Sequence, residues 1–319
     1  VILKDVNLTI EKGKIIGLLG KNGTGKSTLI KLINDLLTLT SGKILINGKE
    51  IGQEIRKSVE VRVNALKQQG ITPGLAVILV GDNPASKTYV ANKQKSCEAI
   101  GMFSELIKMP EDTTQDALLD QIRDLNNRQD IHGILVQLPL PKHIDEDAVI
   151  ATISPEKDVD GFSPVSVGKM MLGQDTYLPC TPFGVMKLLE HSGIDVAGKH
   201  AVIVGRSHIV GKPMGQLLLQ KDATVTYTHS KTPDLPSFTK QADILIAAVG
   251  RANFITKEHI KPGAVVIDVG INRDEDNKLC GDVNFADVDG IASHITPVPG
   301  GVGPMTITML LENTGQSAE

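Results

Sequence analysis

Short β-branched apolar runs alternate with amphipathic stretches along the chain, the pattern of a parallel α/β sheet covered by helices. The apolar runs predict strands at 15–19, 76–80, 133–137, 201–204, 224–228, 244–247 and 264–269. Between them, Ile55, Val59, Val63 and Leu66 recur at three- and four-residue spacing and predict a helix over 54–69. Leu118, Leu119, Ile122 and Leu125 do the same for 117–126, and further helices are predicted at 185–191 and 213–219. Two breaks interrupt the alternation. Pro179-Cys180-Thr181-Pro182 precedes a new helix, and the Gly/Pro cluster at 297–304 precedes a last short apolar helix. There is no internal repeat and no low-complexity tract.

The 319 residues suggest two domains, and 41% apolar with 22% charged residues excludes a disordered or fibrous chain. Six Phe, three Tyr and no Trp leave few platforms for stacking single-stranded nucleic acid, and a net charge of −4 gives no basic footprint for a duplex. Cys97, Cys180 and Cys280 form no CxxC pair, which argues against structural zinc or a disulfide framework and fits a reducing compartment. No apolar run approaches the roughly 18 residues of a membrane span, and no leader pattern is present. A cytoplasmic protein is expected. The charge is unevenly spread: residues 1–42 carry six Lys and three acids, net +3, against −7 for the remainder. That break is a candidate seam, and the start at Val1 without Met reads as the cut end of a longer segment.

Before the seam, Gly20-Lys21-Asn22-Gly23-Thr24-Gly25-Lys26-Ser27 satisfies G-x-x-x-x-G-K-S between a predicted strand and an apolar-periodic helix. Such a loop directs backbone N–H groups at phosphate oxygens, with Lys26 reaching the terminal phosphates and Ser27 a Mg²⁺. Residues 1–48 resemble the opening of an ABC-transporter ATPase. No LSGGQ-like signature follows, and no apolar strand ends in Asp-Glu. Two readings stand: a working ATPase, or a truncated fragment in which Gly20, Gly25, Lys26 and Ser27 hold an anion without hydrolysing anything. The fragment is favoured, because a P-loop sheet needs about 100 more residues of partner strands.

Beyond the seam, several residue pairs invite a chemical reading. Tyr89 and Lys93 are four apart, so on a helix they share one face, which alone describes a solvated surface better than a site. Gln137 closes an otherwise apolar strand, and the C-terminal ends of parallel strands are where α/β sites form. Asp158 and Asp160 in Lys-Asp-Val-Asp-Gly resemble a metal loop, but two carboxylates alone make a poor oxygen cage, and no metal is expected. A carboxylate suits a ligand edge that offers two N–H groups at once better. Gly300, Gly301 and Gly303 permit either close backbone approach to a ligand or a tight interdomain turn. His208 sits in a glycine turn between a predicted strand and a predicted helix, where a simple hydrogen bond outweighs a catalytic role, and Cys180 suits a small buried hinge residue more than a nucleophile. His132, His191, His229 and His294 have no spacing that makes a ligand set.

Gly205-Arg206-Ser207-His208-Ile209-Val210-Gly211 lies between a predicted strand and a predicted helix. It departs from G-x-G-x-x-G, with Ser207 at the middle glycine and the last glycine one residue late. Its position still presents a helix N-terminus to a pyrophosphate. The next strand ends in Thr228-His229-Ser230-Lys231-Thr232, with no acid until Asp234 to hold a ribose 2′-hydroxyl. With Arg206 added, this corner is rich in donors and suits a 2′-phosphate, so NADP is predicted.

In chain order, Asn47-Gly48-Lys49-Glu50-Ile51, Val80-Gly81-Asp82-Asn83-Pro84-Ala85-Ser86, Tyr89-Val90-Ala91-Asn92-Lys93, Val136-Gln137-Leu138-Pro139-Leu140-Pro141, Lys157-Asp158-Val159-Asp160-Gly161-Phe162 and Pro299-Gly300-Gly301-Val302-Gly303-Pro304-Met305-Thr306 follow one another. Over about 43–314 the chain resembles the bifunctional methylenetetrahydrofolate dehydrogenase/methenyltetrahydrofolate cyclohydrolase family, and 44–51 suits either resemblance. The resemblance implies that Lys93 is the acid/base group at the one-carbon bridge, with Gln137 bonded to it and Tyr89 orienting both. It makes Asp160 the pterin anchor, with Pro139, Gly300, Gly301 and Pro304 also at the substrate. It places Gly205, Arg206, Ser207, Ser230, Thr181, Gly250 and Ile271 at NADP, with Asp268 ending a strand and Val269-Gly270-Ile271-Asn272 as the cofactor-side loop. It further implies a homodimer and tetrahydrofolate as substrate.

The expected architecture is α/β: a P-loop fragment at 1–42, a parallel-sheet folate domain at 43–182 and a Rossmann-type NADP domain at 183–303. The helix at 304–319 is expected to pack back onto the folate domain, although the chain stops short of the family's longer last helix. An ATP-binding transport fragment and an inactive fusion of the two parts are the alternatives.

Overall fold

The computed structural model describes residues 44–319. The predicted strand at 15–19 and the loop holding Gly20, Gly25, Lys26 and Ser27 lie outside the described residues. The first elements are strand β1 (Ile44–Leu45) and helix α1 (Gly48–Gln68). The Asn47 side chain accepts from the backbone N–H groups of Lys49 and Glu50 at 3.1 and 3.3 Å, and this cap starts α1 six residues earlier than its apolar stripe alone predicts. Val59, Val63 and Leu66 are buried along that stripe.

Strand β2 (Gly74–Val80) is buried at every position, as expected of a central parallel strand. Asn83 caps helix α2 (Pro84–Ala99), with proline at its first position. Strand β3 (Phe103–Met109), helix α3 (Gln115–Asn127) and strand β4 (Gly133–Val136) follow, and the sheet order is β3-β2-β4, all parallel. The pattern of β3 hides it from periodicity. It lies at the sheet edge, so Ser104, Glu105 and Lys108 are tolerated among its apolar residues. Short helices α4 (Glu146–Thr152) and α5 (Pro164–Met171) are also cap-driven, by Asp145 and Ser163.

Helix α6 (Cys180–His191) leads to strand β5 (His200–Val204), helix α7 (Gly211–Leu219), strand β6 (Thr224–Thr228) and the short helix α8 (Leu235–Thr239). Strands β7 (Ile244–Ala247) and β8 (Val265–Asp268) precede a small antiparallel hairpin, β9 (Asn272–Arg273) with β10 (Leu279–Cys280). Strand β11 (His294–Ile295) and helix α9 (Val302–Ala318) complete the fold. The second sheet has six parallel strands in the order β1-β11-β8-β7-β5-β6. Ile44 and Leu45 pair with His294 and Ile295, so the first described strand completes the sheet of the later half.

Helices α1, α6 and α9 pack together between the sheets, and one apolar core runs from Leu75 and Val77 through Leu188, Met305 and Leu310 to Ala201 and Ile203. Each fully buried aliphatic side chain there contributes about 1.5–3 kcal/mol. The last helix, 17 residues, starts two residues before the expected 304 and is buried on several sides because helices flank it. Its polar residues are spent on the joint. Arg56 Nε donates to Thr308 Oγ1 at 3.0 Å, Arg62 pairs with Glu312 and Glu319, and Ser317 Oγ donates to the carbonyls of His132 and Glu156. A Cβ on Gly48 would lie 1.9 Å from the carbonyl oxygen of Gly301, so α1 begins against bare backbone. Among the described residues no helix is long and apolar enough to cross a membrane.

Two predictions follow from this packing. Gly48→Ala costs about 1–3 kcal/mol, because backbone must move to admit the methyl group. Gly168→Ala in α5, with nothing within 4 Å of the new carbon, is neutral or stabilising. Equal melting temperatures for the two variants would contradict the joint described above. The second prediction concerns pH. Burial lowers the pKa of His132, whose Nδ1 accepts from the Gly74 N–H at 3.1 Å. The unfolded chain therefore binds this proton more readily, so the stabilisation is present above the ordinary histidine range and is lost as pH falls through the depressed value. His132→Asn, which keeps an acceptor that does not titrate, shows a smaller drop in melting temperature between pH 7 and pH 5 than the native chain.

Candidate functional site

Tyr89 and Lys93 do lie on one helix, one turn apart on α2. The parallel register brings the end of β4 beside that of β2, with the Gln137 N–H donating to Ile78 O at 2.9 Å. Lys93 Nζ reaches across and donates to Gln137 Oε1 at 3.0 Å, while Gln137 Nε2 donates to Leu138 O at 2.7 Å. The second bond fixes which amide atom faces the lysine. Tyr89 remains exposed beside them, and Pro139 is exposed just beyond.

The two aspartates of 157–161 have separate surroundings. Asp158 is buried and accepts from the Ser163 N–H at 2.8 Å, the Phe162 N–H at 3.2 Å and Ser166 Oγ at 2.8 Å. It is a structural cap, and its carboxylate is consumed by the start of α5. Asp160 lies within reach of the Lys93 charge. Burial raises its pKa, and the charge of Lys93 opposes the rise. Cys180 is 1% exposed, its thiol donates to Val159 O at 3.3 Å, and burial beside Asp160 holds its pKa well above the usual thiol value. A thiolate nucleophile is disfavoured there. Asn313 of α9, buried and not singled out from the sequence, donates to Val159 O at 2.8 Å and Leu178 O at 3.0 Å, tying the aspartate loop to the last helix.

The glycine turn at 300–301 is tight and also rests against α1. Gly300 has φ +107°, and its carbonyl accepts from the Lys49 N–H at 3.1 Å. A Cβ on Gly301 would meet Pro297 O at 2.6 Å. Pro304 is half-buried in the first turn of α9, and the hydroxyls of Thr181 and Thr306 bond at 2.9 Å.

The second cluster lies along the C-terminal edge of the six-stranded sheet. Gly205 follows β5 with φ +129°, and a Cβ there would sit 2.2 Å from Ala248 O. A Cβ on Gly211 would sit 2.5 Å from Gly205 O. The turn into α7 is therefore a bare-backbone cradle at a helix N-terminus, which fits the phosphates of a dinucleotide. Ser207, standing where the motif has glycine, accepts at Oγ from the N–H groups of Val210 and Gly211, both at 3.2 Å. Val204 is in register with Thr228, so Arg206 and Ser230, each two residues on, leave adjacent strand ends, and both are exposed. His208 approaches Lys212 Nζ at 3.4 Å.

Across the same edge, Gly250 has φ +67° and follows β7, while Ile271 is exposed after β8 and its Cδ1 lies 3.4 Å from a Cβ placed on Gly303. Asp268 ends β8 buried. Burial and the charge of Asp282 push its carboxyl up to about 7, against the pull of backbone N–H donors. Asp282 was not singled out from the sequence, and its one signal is an acid set between Gly281 and Val283. Among the described residues no group of three or more His, Cys, Asp or Glu is placed to hold a metal.

A family model for "Tetrahydrofolate dehydrogenase/cyclohydrolase, catalytic domain" matches residues 46–160, and one for its "NAD(P)-binding domain" matches 179–319. The bifunctional protein FolD of Lysinibacillus sphaericus is 86% identical over 275 residues, covering 86% of this chain and 97% of that protein. The crystal structure of FolD from Campylobacter jejuni superposes with a TM-score of 0.85 at 52% identity, covering 86% of this chain and 98% of that one. The Trypanosoma brucei enzyme, solved with NADP cofactor and inhibitor, gives a TM-score of 0.83 at 40% identity over 87% and 97% of the two chains. Residues 1–45 lie outside both family-model matches. From residue 46 onward, sequence and backbone agree that the chain belongs to the tetrahydrofolate dehydrogenase/cyclohydrolase family.

Proposed function

We propose that this chain is a bifunctional one-carbon folate enzyme that oxidises methylenetetrahydrofolate with NADP and hydrolyses the methenyl product to formyltetrahydrofolate. The observation that carries the reading is the Lys93–Gln137 hydrogen bond of 3.0 Å at the parallel strand ends, with the partly buried Asp160 carboxylate within reach of the same lysine's charge. NADP, when bound, accepts a hydride from the one-carbon bridge. The chain's own task in that step is placement of the two rings. Asp160 pairs with N–H donors of the pterin, and Pro139, Gly300, Gly301 and Pro304 line its approach. In hydrolysis, water adds to the methenyl carbon, one proton leaves through Lys93, and the opened ring nitrogen receives a proton as the C–N bond breaks. Gln137 holds the Lys93 nitrogen in place, and Tyr89, one turn before it, orients both.

On the cofactor edge we assign the phosphates to Gly205 and Ser207, the 2′-phosphate to Arg206 and Ser230, and further contacts to Thr181, Gly250 and Ile271. We divide the chain into a folate domain at 43–182 completed by 304–319, its strand β1 lent to the six-stranded sheet, and an NADP domain at 183–303, working as a cytoplasmic homodimer. Residues 1–42 are proposed to be a foreign P-loop-like fragment that takes no part in the folate chemistry. In its support, the L. sphaericus alignment accounts for 97% of that protein within 275 residues of this chain.

Absorbance with methylenetetrahydrofolate and NADP, following NADPH and the methenyl compound together, tests the reading directly. Lys93→Ala is expected to slow hydrolysis of supplied methenyltetrahydrofolate by about 10²–10⁴-fold, and a native rate in that variant would overturn the assignment. Arg206→Ala is expected to raise KM for NADP by roughly 10-fold or more while leaving KM for NAD in place, since a charge-assisted bond contributes about 1.5–3 kcal/mol. Equal turnover of the native chain with NAD would refute the 2′-phosphate corner.

A further inference from the structure

Two buried carboxylates that the reaction does not use stand back to back under the cofactor edge. Asp282 is fully buried, and four N–H groups converge on it. Oδ2 accepts from Val249 at 2.6 Å and Gly250 at 3.1 Å. Oδ1 accepts from the Arg251 backbone at 2.8 Å and Asn272 Nδ2 at 2.9 Å. Asp282 is itself held by Asp268, whose Oδ1 accepts from the N–H groups of Asp282 at 2.9 Å and Gly270 at 3.0 Å. Asp268 Oδ2 accepts from Val283 at 2.9 Å. The fit leaves no room for side chains. A Cβ on Gly270 would lie 2.3 Å from Asp282 Oδ1, and one on Gly281 would lie 1.8 Å from Asp268 Oδ2. Among the described residues neither carboxylate forms an ion pair with lysine or arginine, so hydrogen bonds from the two loops alone compensate their burial.

The sheet order says what those loops receive. Strand β6 carries the corner for the 2′-phosphate and β5 the phosphate turn, so the dinucleotide continues over the strands on the other side of β5, namely β7 and β8. The turn at 249–251 follows β7, and 270–272 follows β8. We propose that Asp282 is a positioning residue for the nicotinamide half of NADP: its buried carboxylate joins the ends of β7 and β8 into one rigid rim, with Asp268 holding it from behind. It touches neither substrate nor reacting atoms, and acts through Gly250 and the 270–272 loop. The inference rests on the cofactor edge assigned above and adds what sets that edge.

Because the family's two reactions differ in their need for NADP, the full chain contains its own control. Asp282→Asn keeps shape but turns an amide N–H₂ toward two N–H donors. The expected result is a rise of at least 10-fold in KM for NADP, while hydrolysis of supplied methenyltetrahydrofolate, measured without NADP, stays within twofold of native. Loss of both activities together would mean a merely structural role and overturn the proposal, as would an unchanged KM for NADP. Asn272→Ala removes a single donor and guards against a misfolded first variant. It is expected to raise KM for NADP two- to fivefold with hydrolysis unmoved, and an unchanged KM there also counts against the proposal. Failure of the native chain to reduce NADP would instead refute the cofactor reading itself.

Discussion

The structure depends on how closely the last helix can approach the first. Helix α9 lies against α1 and α6, and the approach is possible because small residues line it. Gly48 meets the Gly301 carbonyl, Gly52 faces Thr308, and Gly184 faces Met305, each where a Cβ would lie within 3 Å of the neighbour. Backbone packed this closely deforms little, so the helices and the Gly300–Gly301 turn hold one geometry. The same joint brings β1 alongside β11, so residues at opposite ends of the described chain close one sheet. Both halves of the site inherit their relative placement from it.

Parallel pairing does the rest of the arranging. Every strand neighbour in the two larger sheets runs in the same direction, so the loops that leave strand ends gather along one edge of each sheet. At the first edge, Lys93, Gln137 and Asp160 meet although 44 residues separate the first two. At the second, Gly205, Ser230, Gly250 and Ile271 line one rim. Carboxylates within these edges serve opposite purposes according to their donors. Asp158, Asp268 and Asp282 are occupied by N–H and hydroxyl groups of the protein, whereas half-buried Asp160 has the charge of Lys93 for a neighbour.

Much of this was legible in the sequence where burial imposes a period. The strands over 76–80, 201–204, 224–228 and 244–247 stand as read, and α1 and α3 show the apolar stripes that predict them. Elements made by caps or by an edge position were not legible. Strand β3 keeps polar residues because it is half-covered, and α4 and α5 are too short for a stripe. At the site, the helical spacing of Tyr89 and Lys93 and the polar end of an apolar strand at Gln137 were visible signals. Asp282 and Asn313 carried almost none, since a single buried polar residue looks in sequence like any surface one.

The sequence by itself determined the class of fold, the order of its periodic strands and helices, and the residue types available for chemistry. Periodicity, turn residues and motif order are local properties, and local properties can be read along one chain. Only the tertiary structure decided which polar groups are spent within the protein and which remain for a ligand. It separated Asp158 from Asp160 and made Asp282 the tie between two strand ends. The reason is that hydrogen-bond satisfaction is set by neighbours distant in sequence, and a buried polar atom must find them or lose its stabilising solvation without return.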